Sequence, residues 1–411
     1  MAEILLSINA GSSSVKVSVY KTAGKGADPK ELAVVQVDGL TAPPPVLKYD
    51  RGDVKVEGKE LKDVNGHESA FTHILDQLIS DTGLPEVSKR GDISSAIHRI
   101  VHGGDYPRVQ VIGKDTFEDI ERLSDLAPLH NSRSLQIVRA VSKELGHVKN
   151  VAYFDSAFHS QIPRHIRTYP ISPKIAASNG LRKYGFHGIS YAFIIKAVAP
   201  FLNKPISKTN IIALHLGSGA SACAIKNGQS LDTSMGLTPL AGLPGATRSG
   251  SLDPSLVFHY TNEAGKLSSK STKDMHITTA EEILNQNSGW KALTGTTDFG
   301  TISGSDDEMC KLAFDIFVDR ILGYVGSYYL KLGGEVDALV FAGGVGEKGI
   351  KLRKAVVEGA ASLGFQLDAA KNENVGDGVV EDISSEGAKH RVLVCKTDEQ
   401  LEMARGYVED A

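Results

Sequence analysis

Three short runs of small residues in this chain have the make-up of phosphate-binding turns. The first is Asn9-Ala10-Gly11-Ser12-Ser13-Ser14-Val15-Lys16. The second is Leu216-Gly217-Ser218-Gly219-Ala220-Ser221, and the third runs from Phe341 through Gly343, Gly344, Val345 and Gly346 to Gly349. Small residues let backbone N–H groups approach an anion closely, serines such as Ser12 and Ser14 add donors, and Lys16 adds positive charge. None has the G-x-x-x-x-G-K-[ST] spacing of a Walker A loop. Taken alone, such a Gly-Ser turn is a poor signal, and a plain hairpin is its ordinary reading. Three in one chain favour a nucleotide kinase or ATPase. The third follows an apolar strand and precedes a helical pattern at 350–363, an arrangement suited to the sugar-phosphate part of a nucleotide.

The elements that must position these turns are legible. Residues 3–9 and 15–20 read as strands around the first turn, and 211–216 and 221–226 as strands around the second. Each pair then runs into a lysine-containing turn, at 21–24 and 226–228. This weak internal repeat, about half a chain apart, points to duplication of one α/β unit. Further strands are expected at 94–102, 148–155, 336–344 and 390–395. Helical patterns occupy 68–80, 117–126, 132–145, 189–201, 308–331 and 398–408. Alternating strands and helices predict an α/β fold, with chemistry at the carboxyl ends of the strands. Residues 41–65 read as an exposed hairpin. No long linker appears, so the domains should meet directly with a cleft between them.

Composition removes other classes. Of 411 residues, 41% are hydrophobic and 23% charged, an ordinary globular balance, and the net charge of −4 gives no general attraction to nucleic acid or anionic membranes. Cys223, Cys310 and Cys395 lack metal-like spacing and are too few for a disulfide framework, which fits a reducing compartment. The start, MAEILLSINAG, has no basic segment, and no apolar run approaches membrane-spanning length. A cytoplasmic location is expected.

The motifs together resemble those of the acetate kinases. INAGSSSVK, HRIVHGG (98–104), APLHN (127–131), FDSAFH (154–159), YGFHGIS (184–190), HLGSGAS (215–221), DTSMGLTPLAGLPGATRSGSLDPS (232–255), FAGGVGEKG and TDEQLEMAR (397–405) stand in that family's order. The resemblance spans residues 4–405. It implies two duplicated ribonuclease-H-like domains of the actin-like ATPase and sugar kinase architecture, one formed by 1–155 plus 398–411 and the other, nucleotide-binding, by 156–397. It also implies reversible, direct in-line phosphoryl transfer between ATP and acetate, giving acetyl phosphate and ADP, with Mg²⁺ (Mn²⁺ able to substitute), and a homodimer.

The chemistry can be checked against the residue types. A carboxylate with a pKa of about 4 to 5 is already ionised at neutral pH, so the nucleophile needs no general base. What the reaction needs is neutralisation of charge as an anion approaches a polyanion. Arg99 and Arg248 suit that task, because a planar guanidinium grips carboxylate and phosphoryl oxygens through several donors. By resemblance, His187 donates a hydrogen bond to the phosphoryl group, and Val101, Leu129, Phe186 and Pro239 line a small acyl pocket that also takes Arg99. Asp155 either coordinates Mg²⁺ or holds an arginine. Asn9 and Glu399 are implied as metal-linked, while Thr397 and Gln400 also have the spacing of a helix capping box. His130 and His215 either touch phosphate or hold a loop. The nucleotide side falls to Ser12, Ser14, Lys16, His215, Gly217, Ser218, Gly219, Asp298, Phe299, Gly300, Gly343, Gly344, Val345 and Gly346.

The sequence departs from the family at Ser218, Gly300 and Lys348, where asparagine, arginine and asparagine are common. All three lie on the nucleotide side. Pyrophosphate or phosphate in place of ATP or ADP therefore stays open as an alternative, as does propionate or butyrate in place of acetate. A different class, an actin-like nucleotide switch, would need neither an acyl pocket nor the two arginines.

Overall fold

The computed structural model describes residues 3–11, 13–41, 44–124, 128–271 and 276–410, with the backbone alone at 128–130. The chain divides into two compact units, Met1–Ala157 with Asp398–Ala411, and Phe158–Thr397.

The first unit is built on the strands β1 (Glu3–Ala10), β2 (Val15–Thr22), β3 (Lys30–Asp38), β4 (Val46–Asp50), β5 (Lys55–Glu60), β6 (Ser95–Ile100), β7 (Gln110–Val111) and β8 (Lys149–Phe154). They form one sheet in the order β5-β4-β3-β2-β1-β6-β8-β7. β1, β2 and β3 pair antiparallel, whereas β6 and β8 run parallel to β1. The second unit repeats this with β9 (Ile211–Leu216), β10 (Ala220–Lys226), β11 (Gln229–Thr233), β12 (Ala338–Ala342), β13 (Val380–Asp382) and β14 (Arg391–Cys395). Its order is β11-β10-β9-β12-β14-β13. The five-strand cores β3-β2-β1-β6-β8 and β11-β10-β9-β12-β14 therefore share order and direction, as expected from the repeat around the two glycine turns. The fold is the mixed α/β pair anticipated from the sequence.

β9 and β12 read as near-continuous apolar runs, as expected of strands covered by helices, whereas β6 and β8 mix apolar residues with Ser95, His98, Arg99, Lys149 and Asn150. In the first unit, Leu6, Ile8, Val17 and Val35 pack with Phe71, Ile74 and Leu78 of the helix His67–Ser80 and with Ile137 and Val141 of the helix Pro128–Glu144. In the second, Leu214, Leu216 and Phe341 pack with Phe317, Ile321 and Val325 of the long helix Glu308–Lys331. Each such buried side chain contributes roughly 1.5–3 kcal/mol.

Several expectations shift. The 41–65 hairpin exists as β4 and β5, but it is only half exposed. Alternation sends Leu47 and Tyr49 of β4 into the core, while β5 stays outside. The helix expected from 117 starts at Lys114, and the one expected to reach 363 stops at Gly359, followed by a short 3₁₀ turn. Helix begins at Gly343 itself, where a loop was expected, and breaks at Gly349. The reason is steric: Gly343 has φ +72°, and a Cβ there would lie 2.7 Å from the Leu216 carbonyl oxygen. Only glycine lets the chain turn so close to β9.

The capping box at Thr397 and Gln400 does not form. Asp398 Oδ1 instead accepts from Leu401 N at 2.9 Å. Gln400 is buried against β1, its Nε2 donating to the Ser7 carbonyl at 2.9 Å while Ser7 Oγ donates to the Gln400 carbonyl at 3.1 Å.

Candidate active site

In the first unit, Asn9 and Lys16 face each other across the β1–β2 pair. The turn between them is closed by Gly11 N–H donating to the Ser14 carbonyl at 2.8 Å, and His67 Nε2 lies 2.9 Å from the Gly11 carbonyl. Ser14 Oγ leans over Gly11, close enough that a Cβ on Gly11 would meet it at 2.9 Å. Ser13 Oγ accepts from Thr41 Oγ1 at 2.8 Å. Ser12 lies outside the described residues.

The parallel register of β6 and β8 sets Arg99 opposite Tyr153, so Asp155, just past the end of β8, stands beside Arg99. Arg99 Nε donates to Asp155 Oδ1 at 3.1 Å and NH2 to Oδ2 at 2.7 Å. Its NH1 lies 2.8 Å from Glu399 Oε2, at the start of the C-terminal helix Glu399–Asp410. Asn9 Nδ2 donates to the same Oε2 at 3.5 Å. Arg99 is thus gripped by two carboxylates, one of them the 1% exposed Asp155. Burial works against the charge on Arg99, but Asp155 and then Glu399 outweigh it and raise the guanidinium above its ordinary pKa. Of the two roles open to Asp155, holding an arginine is the one its geometry displays.

Among the described residues there is no cluster of three or more His, Cys, Asp or Glu able to cage a metal. The set Asn9 and Glu399 is sparse, one amide and one carboxylate. That suits Mg²⁺, which keeps several waters and shares substrate phosphate oxygens, and does not suit an ion needing an all-protein shell.

In the second unit, His187 caps the helix Gly188–Phe201 with φ +58°, a left-handed conformation uncommon for a residue with a side chain. Its turn is pinned from below. His159 Nε2 lies 2.9 Å from the Phe186 carbonyl and its Nδ1 lies 2.7 Å from Ser230 Oγ; burial pushes His159 down to about 4, so it stays neutral. His187 Nδ1 is 2.8 Å from Ser221 Oγ on β10, and Tyr191 Oη is 2.6 Å from the same oxygen. His215, on β9, has Nδ1 held 2.7 Å from Ser190 Oγ, and the His187 and His215 rings lie 4.2 Å apart. Arg248 NH1 donates to the carbonyl of the buried Pro239 at 3.2 Å. A Cβ on Gly219 would overlap Arg248 NH2 and lie 3.6 Å from His187 Nε2. The glycine turn, Arg248 and His187 Nε2 thus converge. Gly217 N donates to the Gly219 carbonyl at 3.1 Å, and Ala246 N donates to the Ser218 carbonyl at 2.9 Å, which moors the arginine loop to the turn. The Ser218 side chain is exposed.

The remaining expected residues sit as follows. Gly344 and Lys348 are exposed and Gly346 is buried, while Val345 packs on the core. Asp298 caps the helix Phe299–Gly304, its carboxylate accepting from Gly300 N at 3.0 Å and Thr301 Oγ1 at 2.6 Å. The Phe299 ring is committed to the core, edge-on to Trp290 and Phe317. Val101 is half-buried just past β6, and Phe186 is buried. The Leu129 and His130 side chains lie outside the described residues.

Sequence reading missed Ser221, Tyr191, Ser190, His159 and Arg353. Tyr191 follows His187 by four residues, one helical turn, and that spacing was a usable signal. Nothing local marks Arg353. It is 1% exposed, and its NH1 donates to the Gly346 carbonyl at 2.9 Å and the Glu347 carbonyl at 2.6 Å, its Nε to Asn372 Oδ1 at 2.7 Å. It thereby holds the far end of the Gly343–Lys348 helix.

Two duplicated α/β units, each turning on glycines between antiparallel strands and each presenting a fixed guanidinium, define a phosphotransferase of the kinase class. The chain matches the acetokinase family over residues 4–405 and belongs to it; it is an enzyme of the acetate kinase type. It is similar to a probable acetate kinase of Neurospora crassa, at 56% identity over all of this chain and 94% of the relative. Among solved structures it resembles an acetate kinase of Porphyromonas gingivalis (33% identity, TM-score 0.82, 98% of each chain). It also resembles a propionate kinase of Francisella tularensis (31% identity, TM-score 0.84, 98% of each chain). Among the described residues, no helix is long and apolar enough to cross a membrane.

Proposed function

We propose that the acetate carboxylate attacks the terminal phosphorus of ATP directly and in line, with Arg99, Arg248 and His187 supplying the charge and donors that make the approach possible. The observation that carries this reading is Arg99 itself. Its Nε and NH2 are occupied by Asp155 and its NH1 by Glu399, so its position is set before substrate arrives and little reorganisation remains. Asp155 acts by holding Arg99, not as a base, because the acceptor is already ionised. Arg248 and His187 Nε2, brought together over Gly219, provide donors for phosphoryl oxygens. Lys16 and the turn at Gly11–Ser14, with Gly217–Gly219, serve the phosphates, and the Gly343–Gly346 segment with Asp298–Gly300 serves the nucleoside. Mg²⁺, associated with Asn9 and Glu399, would neutralise phosphate charge when bound. Val101, Leu129, Phe186 and Pro239 form the acyl pocket, and the protein works as a cytoplasmic homodimer.

A second acyl preference has a specific motive, the likeness to a solved propionate kinase. An apolar pocket discriminates by only about 1–3 kcal/mol per methylene, so propionate should be a slower substrate. The donor is the other open choice, since Ser218, Gly300 and Lys348 all lie on the nucleotide side. The test is a matrix of acetate, propionate and butyrate against ATP, GTP and pyrophosphate, with acetyl phosphate and ADP or phosphate in reverse. Highest kcat/KM with acetate and ATP is expected. Turnover confined to pyrophosphate would overturn the donor assignment, and a preference for butyrate the acyl assignment.

A further inference from the structure

The mechanism uses His187 Nε2 but assigns nothing to what lies behind the ring. His187 Nδ1 meets Ser221 Oγ at 2.8 Å, and Ser221 Oγ meets Tyr191 Oη at 2.6 Å. Both distances allow the proton to sit on either atom. Satisfying every buried donor removes the ambiguity.

Tyr191 is fully buried, and burial keeps its hydroxyl protonated by raising its pKa well above the ordinary value. The phenol proton therefore needs an acceptor, since a buried donor left unmade costs more than the bond contributes. Among the described residues, the Tyr191 oxygen meets Ser221 Oγ and the backbone N–H of His215, which is a donor. One acceptor remains, so Tyr191 O–H donates to Ser221. Ser221 Oγ could accept twice, but Ser221 is fully buried and its own proton also needs an acceptor; among the described residues only His187 Nδ1 is left to take it, so Ser221 donates to His187 Nδ1. An imidazole that accepts at Nδ1 and is neutral carries its proton on Nε2, the ring atom that a Cβ on Gly219 would meet at 3.6 Å.

We infer that Tyr191 and Ser221 are positioning residues that lock His187 as the neutral Nε2–H tautomer, a donor toward the phosphoryl group and not a base or a cation. The inference rests on the proposed role of His187 and adds how the ring is oriented for it. A proton at Nδ1 would make Ser221 Oγ accept twice and leave the buried Ser221 hydroxyl proton without an acceptor. The Arg248 guanidinium, which shares the space over Gly219 with His187 Nε2, also disfavours a second positive charge there.

The test is ¹⁵N NMR of selectively histidine-labelled protein, with His187 identified by the signal missing in His187→Gln. In the wild type, a pyridine-type Nδ1 and a pyrrole-type Nε2 are expected from pH 6 to 8. Tyr191→Phe removes the proton that directs Ser221. It should give a mixed tautomer and a kcat lower by about tenfold, with both substrate KM values within about twofold. Ser221→Ala should do the same, and Ser221→Thr, which keeps the hydroxyl, should restore the wild-type spectrum and most of kcat. A proton on Nδ1 in the wild type, or a wild-type spectrum and kcat in both Tyr191→Phe and Ser221→Ala, overturns the inference. Full kcat in His187→Gln would instead sink the proposed role of His187 and leave the tautomer reading standing.

Discussion

Arg99 shows how one side chain can link stability to chemistry. Its partners are a carboxylate exposed to 1% and another that begins the last helix. Removing the cation leaves Asp155 buried without its counter-charge. Arg99→Gln is therefore expected to destabilise the first unit by about 3–5 kcal/mol, read as a lower denaturant midpoint. Its kcat should fall by on the order of 10²–10³, the usual cost of losing one preorganised donor at a reacting centre. A variant with full turnover would remove Arg99 from the mechanism. The buried histidines make a second residue-scale prediction. Burial holds both His98 and His159 down to about 4. In the unfolded chain each takes a proton near pH 6.5, so between those values the unfolded state binds more protons and the folded state loses stability as pH falls. Each histidine should contribute on the order of 3 kcal/mol above pH 6.5 that is gone below pH 4. Urea midpoints measured from pH 7 to 4 should fall, and His98→Asn should flatten part of that slope.

Glycines at the ends of strands act at the scale of the element. Gly219 gives Arg248 its place, because any side chain there occupies the volume of the guanidinium. Gly219→Ala should therefore resemble an Arg248 lesion, with kcat reduced at least tenfold while thermal stability changes little, since the clash falls on a flexible side chain and not on backbone. Gly343→Ala is the opposite case. It meets the Leu216 backbone at a positive φ and must distort the junction of β12, β9 and the following helix. A loss of stability above about 2 kcal/mol is expected, together with a raised KM for the nucleotide and an unchanged KM for acetate. Equal effects on both KM values would detach this helix from nucleotide binding.

At the scale of the molecule, the two ends of the chain build one unit. The helix Glu399–Asp410 places Met403 and Ala404 in the first unit's core, and Gln400 is tied to Ser7 across 393 residues of sequence. Deleting residues 398–411 removes Glu399 and opens the sheet face over β1 and β6. The truncated protein should lose all turnover. Hydrogen exchange in β1, β2 and β6 should accelerate strongly while β9, β12 and β14 remain protected, because the second unit has its own core. Uniform acceleration across both sheets would show that the units do not hold their stability separately.

By itself, the sequence determined the strands, most of the helices and the duplication. Apolar periodicity and small-residue turns are local signals, and each half repeats them in the same order. It also marked Arg99, Asp155, Arg248, His187 and Glu399, because their motifs are unusual in composition and come in the family's order. Their partnerships were another matter. Nothing near Glu399 announces Arg99, 300 positions away, and the Thr397 and Gln400 spacing suggested a cap where the fold makes a tether to β1. Ser221 stood in view inside a glycine turn, yet its bond to His187 depends on the register of β10 against β9 and on a helix starting in a left-handed conformation. Hydrogen bonds and ion pairs are made in space, between groups that register and packing bring within about 3 Å. Only the folded chain decides which donors find acceptors, and so which way the protons point.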